Sequence, residues 1–283
     1  MNVIKDLVLD EERALYNITD TKLINIKFDG IQDGESALKE CGNLNINNCY
    51  FNLRYPLWHV DSFILENCEM TNNARAAMWY CKDIDIIDCK LNGIKALREC
   101  SDIIIKNTDI ESFEFGWKCN NIGLVNTNIT GEYLFLDSNN IKFNNVKMKG
   151  KYSFQYVNNL EIEDSILDTK DAFWHAKNVI VKNSILKGEY LGWYSKNLTL
   201  INCKIIGTQP LCYCENLKLI DCETEGCDLS FENSIVNGNI NGNIISIKNP
   251  LDGEIIVDEV NEVIMDDVKY GCKGKVIIKS NRK

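Results

Sequence analysis

Apolar and polar residues alternate along this chain in short bursts that recur every 19 residues. When Asn43, Ser62, Asp83, Asp102, Asn121, Asn140, Asn159, Asn178, Asn197 and Asn216 are set in one column, every step is 19 residues except the 21 from Ser62 to Asp83. The next residue is apolar in every unit, from Leu44 and Phe63 through Ile103 and Ile122 to Leu217, and so is the one two further on, from Ile46 to Leu219. Such period-two alternation predicts a strand with one buried face. The column after it holds only Asn and Asp, from Asn48 and Asn67 to Asn202 and Asp221. These types tolerate sharp bends and bond their own backbone, so a corner is expected in every unit.

A small column follows (Cys49, Cys68, Cys89, Thr108, Thr127, Val146, Ser165, Ser184, Cys203, Cys222), and two places on stands an apolar column from Phe51 to Thr224 that reads as a second short strand. Gly93, Gly131, Gly150, Gly188, Gly207 and Gly226 fall in register and suggest a turn with positive φ. A third short strand is expected around Leu57, Met78, Leu97, Phe135, Phe154, Phe173 and Leu211, with Gly116 and Gly192 in the same column. A second small column then precedes each marker: Cys41, Val60, Cys81, Cys100, Cys119, Ser138, Val157, Ala176, Ser195, Cys214.

Three strands and three bends in 19 residues describe one coil of an all-β parallel β-helix, a solenoid of about a dozen coils. Inward positions every five or six residues, as other solenoids require, are absent. Each coil can bury its faces only against its neighbours, so 1–283 is expected to be a single domain. Residues 1–36 form an N-terminal cap and first coil, 37–235 the regular coils and 236–283 irregular C-terminal coils and cap. The acidic insertion Asp29 to Glu35 lacks the spacing of a calcium loop and reads as a turn.

Composition narrows the function. With 31 basic against 41 acidic side chains and no basic cluster, nucleic-acid binding is not expected. No apolar run is long enough to cross a membrane, and the charged N-terminal segment carries no signal-peptide pattern, which points to the cytoplasm. Of thirteen cysteines, ten lie in the two small columns, where repeated thiols read as packing. Zinc on Cys212, Cys214, Cys222 and Cys227 lacks a paired C-x-x-C motif, so neither metal nor cofactor is expected.

The third strand departs from scaffold economy. Two columns beside its apolar one read Trp58-His59, Trp79-Tyr80, Arg98-Glu99, Trp117-Lys118, Leu136-Asp137, Gln155-Tyr156, Trp174-His175, Trp193-Tyr194 and Cys212-Tyr213. All five tryptophans and both histidines lie here. Tyr55, Tyr133, Tyr152 and Tyr190 open the same strand, with Lys95, Glu114 and Asp171 in equivalent places. If the uniform Leu/Phe column points inward, the Trp column points outward and Lys39, Arg98 and Gln155 reach solvent; the opposite choice would bury those three.

An outward aromatic ridge has two readings: a surface for self-association or a partner protein, or a groove for an extended ligand such as a row of sugar rings. In the second, Trp58, His59, Trp79, Tyr80, Arg98, Trp117, Tyr156, Trp174, Trp193, Tyr194 and Tyr213 are the candidate ligand-binding residues. The candidate catalytic groups are Glu99, Lys118, Asp137 and His175, with Glu99 and Asp137 about 9 to 10 Å apart across two coil steps. The plainer alternative, which is preferred, is a surface ladder of alternating charge.

The strings Tyr-Pro-Leu-Trp-His at 55–59, Met-Trp-Tyr at 78–80, Lys-Tyr-Ser-Phe-Gln-Tyr at 151–156, Asp-Ala-Phe-Trp-His at 171–175, Glu-Tyr-Leu-Gly-Trp-Tyr at 189–194 and Gly-Thr-Gln-Pro-Leu-Cys-Tyr-Cys at 207–214 resemble a bacterial family known as domain of unknown function 3737. The resemblance covers nearly the whole chain. It implies a single-stranded, right-handed β-helix of the pectin-lyase-like type, and no established activity. That fold includes polysaccharide lyases, hydrolases and esterases, and no motif here transfers a catalytic set from them. The function expected is binding, or binding and processing, of a carbohydrate or similar extended ligand along the aromatic face; the alternative is a non-enzymatic interaction scaffold.

Overall fold

A computed structural model describes residues 1–279. The described residues contain strands and turns and no helix. They form two compact units, Met1–Lys142 and a second that begins at Phe143. Each is a parallel β-solenoid, with about fifteen turns in all. The turns beyond the expected dozen lie where the repeat decays, in the first strand Asn2–Lys5 and the C-terminal strands ending with Lys275–Ile278.

In the first unit the long strand of each coil runs Thr19–Ile24, Gly42–Asn47, Asp61–Glu66, Lys82–Ile87 and Ser101–Lys106. Equivalent columns meet, Phe63 on Ile84 on Ile103 on Ile122, so each apolar column stacks into the core. The second unit repeats this in Asn158–Glu163, Lys177–Lys182 and Lys196–Ile201. Short second strands such as Lys90–Asn92 and Ile185–Lys187 pair in the same way.

The corners come from backbone that turns left-handed at fixed places. Every residue of the marker column, from Asn43 (φ 49°) to Asn216 (φ 57°), and every residue of the Asn/Asp corner column, from Asn48 (φ 53°) to Asp221 (φ 51°), has positive φ. Asn and Asp occupy this region at least cost among residues with a side chain. Their side chains then form ladders between coils: Asn48 donates to Asn25, Asn126 to Asn107, Asn121 to Asp102, Asn197 to Asn178 and Asn216 to Asn197, at 2.6–3.3 Å.

Two expectations need correction. The third strand exists in Leu57–Trp58, Met78–Trp79 and Leu97–Arg98, with one bridge on to Trp117. In the remaining coils that side runs in turns, because residues such as Phe135 (φ 59°), Phe154 (φ 61°) and Phe173 (φ 63°) are themselves left-handed. Its ladder persists without strand geometry, as in His175 N donating to Trp193 O at 3.0 Å. The glycine column turns with positive φ at Gly93, Gly188, Gly207 and Gly226 but not at Gly131 or Gly150. At Gly131 the reason is close approach: a Cβ would lie 2.2 Å from the Ser112 carbonyl oxygen. The Asp29–Glu35 segment is a turn, as expected, and Arg54 binds Asp33 and Glu35 at 3.3 and 3.6 Å.

The small columns have a hydrogen-bonding reason for their Cys, Ser and Thr. Cys81 N donates to the Cys100 sulfur at 3.3 Å, and the Cys100 thiol donates to the Met78 carbonyl at 3.3 Å. Ser138 does the same with Cys119 N and the Gly116 carbonyl, at 3.0 and 2.5 Å. A thiol or hydroxyl therefore closes the ladder where the backbone turns away; facing Ala176, the Val157 N–H bonds the Phe154 carbonyl of its own turn instead, at 3.4 Å. All the cysteines but Cys272 are buried.

Burial pushes the Cys41, Cys214 and Cys222 thiols up to about 11 and those of Cys212 and Cys227 up to about 12. Unfolded thiols ionise near 8.5, so the folded state holds these protons more tightly and its stability falls as pH rises from about 8.5 through 11 and 12. Chemical denaturation is expected to show a steep alkaline loss, and a thiol reagent at neutral pH is expected to reach no more than Cys272 before unfolding. Rapid labelling of several thiols in the folded protein would contradict this packing.

Candidate functional site

The uniform apolar column of the third side points inward: Leu57, Met78, Leu97, Phe135, Phe154 and Phe173 are buried, while all five tryptophans are half-buried on the outside. Gly116 and Gly192 occur in the inward column because a Cβ there would lie 2.6 Å from the Phe135 ring and 2.7 Å from a Leu211 methyl. Cys212, which ends the Trp column, is buried instead.

The tryptophans are fixed twice. Each indole N–H donates to a backbone carbonyl of the next coil: Trp58 to Ala76, Trp79 to Lys95, Trp117 to Tyr133, Trp174 to Tyr190 and Trp193 to Gln209, at 2.5–2.9 Å. The rings also stack face to face, Trp58 on Trp79 at 5.2 Å in the first unit and Trp174 on Trp193 at 5.5 Å in the second. Arg98 continues the first stack, its guanidinium 5.1 Å from both Trp79 and Trp117. A delocalised planar cation thus takes the place of a ring.

The second column stacks likewise. His59 lies on Tyr80 at 4.9 Å. In the second unit Tyr156, His175, Tyr194 and Tyr213 form one continuous stack at 5.0, 5.0 and 4.8 Å. Ring faces within the stacks are covered by their neighbours, so solvent meets ring edges and the faces at stack ends. Between the aromatic members stand Glu99, Lys118 and Asp137, held in successive coils by Glu99 N donating to Trp117 O and Lys118 N to Leu136 O, both at 2.9 Å. The carboxylate of Glu99 pairs with Arg98 at 3.5 Å, rather than with Lys118. All nine residues of this column, from His59 (φ 54°) to Tyr213 (φ 59°), are left-handed. At the marker and corner columns the left-handed residue is nearly always Asn or Asp, whereas the column that opens this side, from Tyr55 (φ 55°) to Gln209 (φ 47°), is left-handed too and holds mostly other types.

A groove of about 600 Å³, which the column reading missed, runs over five coils of the first unit on the long-strand side. One row of its lining is Ser62, Asp83, Asp102, Asn121 and Asn140; the parallel row is Ile64, Asp85, Ile104, Gly123 and Lys142. Its signal in the sequence was Ile64 and Ile104 at outward positions of a strand; Ile104 is 45% exposed. Asp83, Asp85 and Asp102 form no ion pair among the described residues, and Asp102 accepts from Asn121 at 2.7 Å. The polar row begins three residues after His59, Tyr80, Glu99, Lys118 and Asp137.

A model of the protein family of unknown function DUF3737 matches residues 2–278. The chain belongs to the DUF3737 family. No curated protein matches it. Among solved structures, this DUF3737 protein is similar to a bacteriophage CBA120 tailspike protein, at 10% identity over 99% of this chain and 52% of the tailspike, with a TM-score of 0.25. It spans about half the length of that tailspike. It is also similar to trypsin-treated QnrB1, a plasmid-mediated fluoroquinolone resistance protein, at 13% identity over 83% of this chain and 90% of the other, with a TM-score of 0.15. Both superpositions are too distant to bear on what a DUF3737 chain binds.

Lys118 sits exposed in the left-handed column with φ 53°. Replacing it by Asn is expected to stabilise the fold by about 1 kcal/mol in urea denaturation, because Asn tolerates this backbone better. A loss of stability would instead assign Lys118 a stabilising contact.

Proposed function

We propose that this protein binds an extended polyhydroxylated ligand, in the simplest case a linear uncharged oligosaccharide, in the groove between Ser62 and Lys142. The observation that carries the reading is the groove's two parallel rows. At a coil spacing of about 4.8 Å, each coil offers one small polar, carboxylate or amide group from the first row beside an apolar, small or charged residue from the second. A chain with a repeat of similar length meets a comparable pair at each step.

Carboxylates and amides accept and share hydroxyl hydrogen bonds, and Ile64 and Ile104 cover the apolar faces of sugar rings. Asp83, Asp85 and Asp102 together disfavour polyanions such as uronate chains or nucleic acid. The exposed ring edges and terminal faces of the aromatic stacks, Trp58–Trp117 with His59 and Tyr80, and Trp174, Trp193 and Tyr156–Tyr213, are a second contact surface of the same kind. In this reading any turnover falls to Glu99, Lys118 and Asp137 beside the groove, and His175 serves binding within its stack.

Calorimetric titration with a panel of neutral and anionic oligosaccharides tests this. Neutral members are expected to bind and polygalacturonate is not. Asp85→Ala is expected to weaken the interaction about tenfold or more, the worth of one hydrogen bond to a charged group, and Ile104→Lys to abolish stacking in the groove. Absence of binding across the panel, or binding indifferent to both substitutions, would remove the reading.

A further inference from the structure

The outward row of the long strands in the first unit runs Lys22, Asn45, Ile64, Asp85, Ile104 and Gly123, each residue facing the next across one coil step. Its counterparts in the second unit are Glu161, Ile180, Thr199 and Lys218. Gly123 alone among these carries no side chain. The backbone does not ask for a glycine there. Gly123 lies inside the strand Asn120–Glu132, pairs with Ile104 without a bulge, and is not left-handed, unlike Gly116 (φ 76°) and Gly192 (φ 75°). Nor does a neighbour crowd it: a Cβ at Gly123 would have a single heavy atom within 4 Å, the Ile103 carbonyl oxygen at 3.9 Å. A glycine inside a strand weakens it, and of the reasons that keep one there, close approach of a ligand is the one left.

The gap sets what approaches. Gly123 lines the groove between Ile104 and Lys142, which start about 10 Å apart, two coil steps. A carbon held between two others needs about 7–8 Å, two contact distances, so the gap admits one short substituent and closes on it from both sides. Its floor is strand backbone whose polar groups serve the ladder between coils, and one wall is Ile104. A hydroxyl seated there finds no partner on the floor or on the Ile104 side, whereas a methyl buries apolar area against both.

We propose that Gly123 is the specificity-determining position of the groove: it opens a notch for the methyl end of an acetyl group on a sugar ring, so that the groove selects acetylated over unsubstituted chains. The inference rests on the carbohydrate reading of the groove and names the class of sugar. Calorimetric titration of the N-acetylglucosamine tetramer and of the glucose tetramer with the same linkage into the wild type, Gly123→Ala and Gly123→Val, together with thermal melts of the three proteins, tests it.

The wild type is expected to bind the acetylated tetramer about fourfold or more tighter than the glucose tetramer, the worth of one buried methyl. Gly123→Ala is expected to reduce that ratio and Gly123→Val to abolish it. Without ligand both variants are expected to melt higher than the wild type, Gly123→Ala by about 1–3 °C, because a side chain at this open strand position removes freedom from the unfolded chain alone. A wild type that binds both tetramers equally, or binds other neutral chains but not the acetylated one, would overturn the notch and leave the groove reading standing. So would an unchanged ratio in Gly123→Val, or a lower melting temperature in both variants. Failure of the wild type to bind any neutral chain, these two included, would remove the groove reading and the notch together.

Discussion

The structure depends on one interaction: the backbone hydrogen bond from each coil to the next, kept in register by residues that turn left-handed at the same places in every coil. Where Asn and Asp hold those places, as at Asn121 (φ 57°) and Asn126 (φ 50°), the corner is inexpensive and the side chain adds its own bond along the axis. With the corners fixed, every other position is repeated at coil spacing, and each side chain meets its counterparts one coil above and below. The core follows from this as columns of Ile, Leu and Phe.

The same repetition decides what the surface can do. Aromatic residues one coil apart stack face to face, so Trp58, Trp79, Arg98 and Trp117 form a rigid pile whose broad faces serve the protein itself. In the proposed function, recognition concentrates where a column breaks its own pattern. In the groove, a row of Ser, Asp and Asn runs beside a row that holds Ile64 and Ile104. In the column from His59 to Tyr213, large side chains occupy left-handed backbone that Asn would hold more readily, a local cost of the kind that collects at working surfaces.

Much of this was legible in the chain. The Asn/Asp columns announced corners, the alternating Ile and Leu columns announced strands, and the polar members Arg98 and Gln155 correctly turned the tryptophans outward. The third side was harder to read, because Phe135, Phe154 and Phe173 carry no sequence mark of left-handed backbone; only the ladder they complete imposes it. Gly131 was legible as special but not for which reason, since close approach and positive φ both select glycine. Ring stacking was visible as recurrence, yet the resulting loss of exposed ring faces needed the 5 Å spacings to be seen. The groove escaped because its lining comes from residues that, column by column, read as plain corner and strand positions.

The central claim is that this solenoid holds a polyhydroxylated chain across successive coils, and a crystal structure of the protein soaked with a neutral linear oligosaccharide tests it most directly. The account predicts sugar density lying across coils between Ser62 and Lys142, with hydroxyls on Asp83 and Asp102 and a ring face on Ile64 or Ile104. An empty groove at saturating ligand, or sugar bound only along the tryptophan stack, would contradict it.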